Sequence, residues 1–198
     1  MLKLPPSQSS NMPIVYIVGL HGSGKTTAGK HLSQAIDGHI HISVGDLARF
    51  GRKGSLPAEV PTRLMACLAR HKPGTVFSFQ TASLLSEYLI SLTSCKNSVS
   101  VDGFPSSPEH IQLLPNNAVI LHLFTSEQTR HSRLENRSLT TGRKWVNGGA
   151  SERDTELKNV LDAACIAGVK VINIDNSESA DGLLQNCILA VKKIENKP

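Results

Sequence analysis

Gly19-Leu20-His21-Gly22-Ser23-Gly24-Lys25-Thr26 fits the pattern GxxxxGK followed by Ser or Thr at every fixed position. These residue types in this order suit one kind of chemistry. The glycines let the backbone bend until successive N–H groups point inward, which makes a nest for phosphate oxygens. A helix opening at the end of the loop adds its positive dipole end. Lys25 reaches the outer phosphates, and Thr26 offers a hydroxyl to Mg2+. Gly19, His21, Gly22, Ser23, Gly24, Lys25, Thr26 and the adjoining Thr27 are therefore the candidate residues for holding a nucleoside triphosphate. The motif does not say what the triphosphate is used for.

The surroundings of the loop agree with it. Ile14–Val18 is an apolar strand pattern, and a helix is expected from Lys25 to about Ile36. Further strand patterns lie at Ile40–Ser43, Ser98–Val101, Ala118–Phe124 and Lys170–Ile174. Helical spacing of apolar residues appears in Pro57–His71, Gln80–Leu92 and about Ser151–Ala167, the last with a stripe of Leu157, Val160, Leu161 and Ala164. Glu127–Asn136 and about Ala180–Ile194 complete the helices, with a short one at Pro108–Leu114. Such alternation implies parallel strands joined by helical crossovers, with ligands at the carboxyl ends of the strands. The expected fold is a three-layer α/β/α sandwich of the P-loop NTPase type on a five-stranded parallel sheet.

Two carboxyl-end positions stand out. "HISVGDLAR" (His41–Arg49) opens at the end of the second strand, and "VDGFP" (Val101–Pro105) ends the third. Asp102 is the carboxylate placed to face a magnesium ion, and Gly103 leaves space beside it. A single strand-end Asp is also a common turn residue or cap. His39 and His41 alternate, so they share one face of their strand.

Composition narrows the partners. The chain has 198 residues and a net charge of +5, with 39% hydrophobic and 4% aromatic residues. A basic balance suits anionic ligands. So few aromatics leave little surface for stacking single-stranded nucleic acid, which is not an expected partner. No apolar run approaches the roughly 18 residues a membrane helix needs, so no membrane partner is expected. Cys67, Cys95, Cys165 and Cys187 form no CxxC pair and read as small buried hydrophobes in a reducing, cytoplasmic setting. No histidine spacing suggests a protein metal cage, so metal is expected to arrive with the nucleotide. Residues 1–12 are rich in Pro and Ser and read as a loose tail without the apolar core of a secretory signal. Residues 13–198 then form one domain. Within it, Ser138–Ser151 is polar and glycine-rich, either a surface loop or a lid over an active site.

The phosphate loop, "ISVGDLAR", "VDGFP" and "RLENR" (Arg133–Arg137) together resemble the adenylate kinase family of nucleoside monophosphate kinases, in order and spacing, over about residues 13–195. The resemblance implies transfer of the γ-phosphoryl group of ATP to a nucleoside monophosphate (NMP) with Mg2+. It implies an acceptor-binding insert at about 45–75 and a lid at about 138–152. Gly45, Arg49 and Gly103 would belong to the acceptor site, Arg49 holding the acceptor phosphate, with Val76 and His110 near the acceptor base. Arg133 would stack on the ATP base. Lys25, Arg137, Arg143 and Arg153 would surround the transferred group, and Thr26 and Asp102 would hold the metal. A monomer is expected from the resemblance alone.

The chain also departs from that family. Ser106 stands where "DGFP" is usually followed by an arginine gripping the acceptor phosphate, and Val44 replaces a threonine. His110 stands near a usual glutamine, Lys144 and Trp145 follow Arg143 where aspartates are usual, and His21 replaces a common proline. Most of these changes touch the acceptor side. Two other readings therefore stay open: a nucleotide-binding protein with little transfer activity, and a small-molecule kinase or NTPase on the same fold.

Overall fold

The computed structural model describes residues 13–55, 57, 59–93, 98–141, 152–177 and 180–195. The five strands are β1 (Ile14–Val18), β2 (His39–Ser43), β3 (Ser98–Asp102), β4 (Val119–Phe124) and β5 (Lys170–Asp175). They form one parallel sheet in the order β2-β3-β1-β4-β5. β1 is central and every one of its residues is buried, which is why its sequence is continuously apolar rather than alternating. The helices are α1 (Lys25–Ala35), α2 (Val44–Lys53), α3 (Thr62–Arg70), α4 (Phe79–Thr93), α5 (Glu127–Thr141), α6 (Glu152–Ile166) and α7 (Ala180–Glu195), with a 3-10 turn at Pro108–Leu113.

The period of two along each strand divides the core. Ile14, Tyr16 and Val18 of β1 join Val99, Val101 and Ile120 beneath α2, α3, α4 and α6. Val15 and Ile17 join Val119, Leu121 and Ile174 beneath α1 and α7, where Ala28, Leu32 and Cys187 meet them. Each fully buried leucine or isoleucine contributes about 1.5–3 kcal/mol. The result is the expected three-layer sandwich. α5 belongs to neither core: none of its described residues is buried, and it lies against the phosphate loop, with Arg130 and Leu134 beside Gly22.

Several boundaries differ from the sequence expectation for local reasons. α3 starts at Thr62, not Pro57, because Pro61 pushes the residue before it out of helical geometry. Pro108–Leu113 is 3-10 rather than α. α5 runs through Thr141, so Ser138–Thr141 of the expected loop are helical. Nothing before Gly142 breaks the helix, and the Thr140 hydroxyl donates to the Asn136 carbonyl at 3.0 Å. The rest of the expected lid, residues 142–151, lies outside the described residues. Among the cysteines, Cys187 is buried, but Cys165 is exposed because it falls one residue past Ala164 on the buried stripe of α6. Cys95 lies outside the described residues. No helix among the described residues is long and apolar enough to cross a membrane.

Candidate active site

A cleft of about 590 Å³ lies at the carboxyl ends of β1 and β3, where the strand order switches direction and open α/β sheets bind ligands. Among its described lining residues are five cations, Lys25, Lys30, Arg49, Arg133 and Arg137, and two carboxylates, Asp102 and Asp154. Gly19, His21, Gly22, Gly24, Thr26 and Thr27 of the loop line it, as do Gly45 and Gly103 at the far side. Most of the sequence-selected residues, separated by more than 100 positions, thus converge on one volume.

The loop is held in shape by its own chain. Lys25 Nζ donates to the carbonyls of Gly19 (2.7 Å) and Leu20 (2.8 Å). Gly24 precedes α1 with φ of 94°, a conformation that favours glycine. A side chain there would also meet Asn176, whose Nδ2 would stand 2.3 Å from the added carbon. Asn176, buried at the end of β5, donates from Nδ2 to the Ser23 carbonyl at 2.8 Å. Its own carbonyl accepts from Arg133 at 3.0 Å. One residue therefore ties the phosphate loop to the arginine of α5. The Ser23 side chain is buried behind the loop rather than facing the cleft.

Asp102 is the last residue of β3 and only 5% exposed. In register, Ser43, His41 and His39 of β2 face Asp102, Ser100 and Ser98 of β3. Side chains follow that register. Ser43 Oγ donates to Asp102 Oδ1 at 3.2 Å, and His41 Nδ1 lies 3.1 Å from Ser100 Oγ. His39 Nδ1 is hydrogen-bonded to Ser98 Oγ. His41 Nε2 stands 3.2 Å from Asp102 Oδ2, near but not aligned as a hydrogen bond. Burial pushes the Asp102 carboxyl upward, but His41, Thr26 and Lys25 outweigh it and hold it below the usual carboxylate range. An anionic Asp102 beside the Thr26 hydroxyl, with Oδ2 lacking an aligned partner, is an oxygen donor set that fits Mg2+.

At the opposite end, Arg49 is paired with Asp46 one turn earlier on α2. Ser106 is buried, and its Oγ accepts from the Phe77 N–H at 3.4 Å, so it contributes no charge to the cleft. Leu157 and Val160 of α6 add apolar lining to the same cleft. Asp154, on the first turn of the same helix, reaches the phosphate loop. Its Oδ1 accepts from the His21 N–H at 3.0 Å and its Oδ2 lies 2.8 Å from His21 Nδ1. Burial raises the Asp154 carboxyl, but His21 and Lys25 more than reverse this and bring it down to about 2.

Besides Ser23, two expected residues are not brought to the cleft. His110 is fully buried: Nδ1 accepts from the Ser106 N–H at 3.2 Å and Nε2 faces the Phe77 carbonyl at 3.1 Å. Its ring braces the segment under Pro105 and is turned away from any acceptor. Val76 lies off the cleft lining, and its N–H donates to Glu152 Oε2 at 3.1 Å. Arg143 lies outside the described residues, as does the side chain of Arg153, whose backbone is in α6. Conversely, sequence reasoning missed Asn176 and Asp154. Asn176 carried a usable signal, a polar residue just past a strand's carboxyl end. Asp154 did not, since an acid in a helix's first turn is ordinary.

No family model matches the sequence, and no curated protein matches it. Solved structures do match by shape. A sugar kinase from Janibacter sp. HTCC2649 is 16% identical with a TM-score of 0.59, covering 92% of this chain and 95% of that one. A gluconokinase from Sinorhizobium meliloti 1021 is 15% identical with a TM-score of 0.54, over 93% and 94%. A shikimate kinase from Acinetobacter baumannii, solved with shikimate, is 18% identical with a TM-score of 0.52, over 94% and 96%. Strand order, phosphate loop and these likenesses agree: the chain has the three-layer α/β fold of P-loop kinases.

Proposed function

We propose that this protein is an ATP-dependent phosphotransferase that passes the γ-phosphoryl group to a small-molecule acceptor. The observation that carries the reading is the single cleft with the Gly19–Thr26 loop and the Thr26–Asp102 pair at one end and Arg49 at the other. Thr26 and Asp102 would hold Mg2+, which would neutralise charge on the phosphates. Lys25 would exchange the Gly19 and Leu20 carbonyls for phosphate oxygens. Arg133 and Arg137, four apart on α5, would add positive charge from above the loop. Such transfer needs positioning and cations more than covalent help.

The acceptor end supports a small molecule with few charges. Arg49 is its one arginine among the described lining residues, it is already shared with Asp46, and Ser106, Leu157 and Val160 are neutral. The similar solved structures, named as sugar, gluconate and shikimate kinases, support the same class. A second reading, NMP kinase, is favoured by the order of the "GDLAR", "VDGFP" and "RLENR" motifs and by Arg49. Transfer to an NMP would place a second phosphate beside that single fork.

ADP formation from Mg-ATP, measured with sugars, sugar acids and cyclic hydroxy acids in parallel with the common NMPs, separates the readings. Stimulation by a hydroxyl compound supports the first, and stimulation by an NMP alone replaces it with the second. ATP binding with no acceptor-dependent turnover in either set overturns both in favour of a nucleotide-binding protein.

A further inference from the structure

The strongest unassigned feature is a carboxylate at the mouth of a loop built for anions. Asp154 takes the His21 main-chain N–H and the His21 ring, and its side chain is 10% exposed. Two turn-mates make this a strap. On the same first turn of α6, Glu152 accepts the Val76 N–H. The helix start is thereby fastened to the phosphate loop on one side and to the segment before Phe77 on the other. Meanwhile Lys25, whose charge Asp154 feels, donates to loop carbonyls. Groups that would meet the outer phosphates are satisfied inside the chain.

We propose that Asp154 is an internal competitor for the anion-binding groups of the phosphate loop, and so sets how strongly the site prefers a triphosphate to a diphosphate. Asp154 and an outer phosphate are like charges drawn to the same N–H and the same ammonium. A loop of this type holds the inner phosphates on its backbone and the outer ones with its lysine. Either nucleotide meets the competition at the His21 N–H, and the third phosphate meets it again at the Lys25 ammonium, so the triphosphate is opposed more. A diphosphate meets less of it, and Asp154 narrows the affinity gap between the two. A neutral side chain of the same shape removes the repulsion and keeps the packing. The inference rests on reading Gly19–Thr26 as a nucleotide site.

The test is calorimetric titration of the full chain with Mg-ADP and with a non-hydrolysable Mg-ATP analogue. Asp154→Asn is expected to tighten the triphosphate by about tenfold and the diphosphate by less than about threefold. His21→Ala, which keeps the main-chain N–H and drops the ring, is expected to shift the ratio the same way by less. It also preserves the test should Asp154→Asn not fold. An unchanged ratio, or one that moves toward the diphosphate, overturns the inference while leaving the nucleotide site standing. A fall in turnover with both affinities unchanged does the same and assigns Asp154 to the transfer step instead. Failure of wild type to bind either nucleotide overturns the nucleotide site and the inference together.

Discussion

The His41 ring stands with Nε2 3.2 Å from Asp102 Oδ2, and the absence of a side chain at Gly29 makes room for it. A carbon added at Gly29 would lie 2.0 Å from the ring. The neighbours of a metal-binding carboxylate fix its orientation and tune its charge. Gly29→Ala is therefore expected to destabilise the fold by about 1–3 kcal/mol through overpacking. The double variant Gly29→Ala with His41→Ala should recover much of that loss in urea unfolding. His41→Ala alone should raise the Mg2+ concentration needed for half-maximal nucleotide binding by about tenfold. An unaltered Mg2+ requirement would show that the ring only fills space.

Asn176 supports the loop from behind. Its amide is the buried partner of the Ser23 carbonyl. Asn176→Ala leaves that carbonyl without this donor and is expected to lower stability by about 1–3 kcal/mol. Nucleotide affinity should fall as well, because the loop loses its brace beside Gly24 and Arg133. Urea unfolding and nucleotide titration read the two effects separately. Loss of stability with full affinity would limit Asn176 to a packing role.

The two ends of the cleft should respond differently to loss of charge. Lys25→Ala is expected to abolish nucleotide-dependent activity. Arg49→Ala should raise the KM for the acceptor by about tenfold or more and leave the KM for ATP nearly unchanged, the pattern of lost binding at one substrate only. Steady-state kinetics with each substrate varied in turn checks this. Equal acceptor KM values in wild type and variant would remove Arg49 from the acceptor site.

Stability should depend on pH through His39. Burial, then the neighbouring His41, lowers its pKa from 6.5 to about 4. The unfolded chain takes up a proton that the folded chain refuses. Stability is thus full above about pH 6.5 and declines as the pH falls toward 4. The loss between pH 7 and pH 5 should be about 2 kcal/mol. His39→Gln removes the titration, so its stability should fall less over the same interval. Denaturation curves at the two pH values decide it, and parallel losses in both proteins would contradict the assignment.

The sequence by itself determined the layers and one end of the site. The pattern of apolar residues in β1 and the turn chemistry of Gly19–Thr26 are local properties, so strand, loop and α1 fall where their residues require. The shared face of His39 and His41 was legible from a period of two. Asp102 was reached because it ends a strand, whereas Arg133 and Arg137 were reached only through the resemblance carried by the "RLENR" motif.

Tertiary structure decided the rest, since contacts between distant segments leave no local signature. Whether His110 faces a ligand or the core depends on where Phe77 and Ser106 come to lie, and both take its ring inward. Val76 gives its N–H to Glu152, 76 residues away. Asn176 reaches Ser23 across 153 positions, and Asp154 reaches His21 across 133. A side chain's chemistry is written in its own residue, but its partner is chosen by the packing of helices over the sheet.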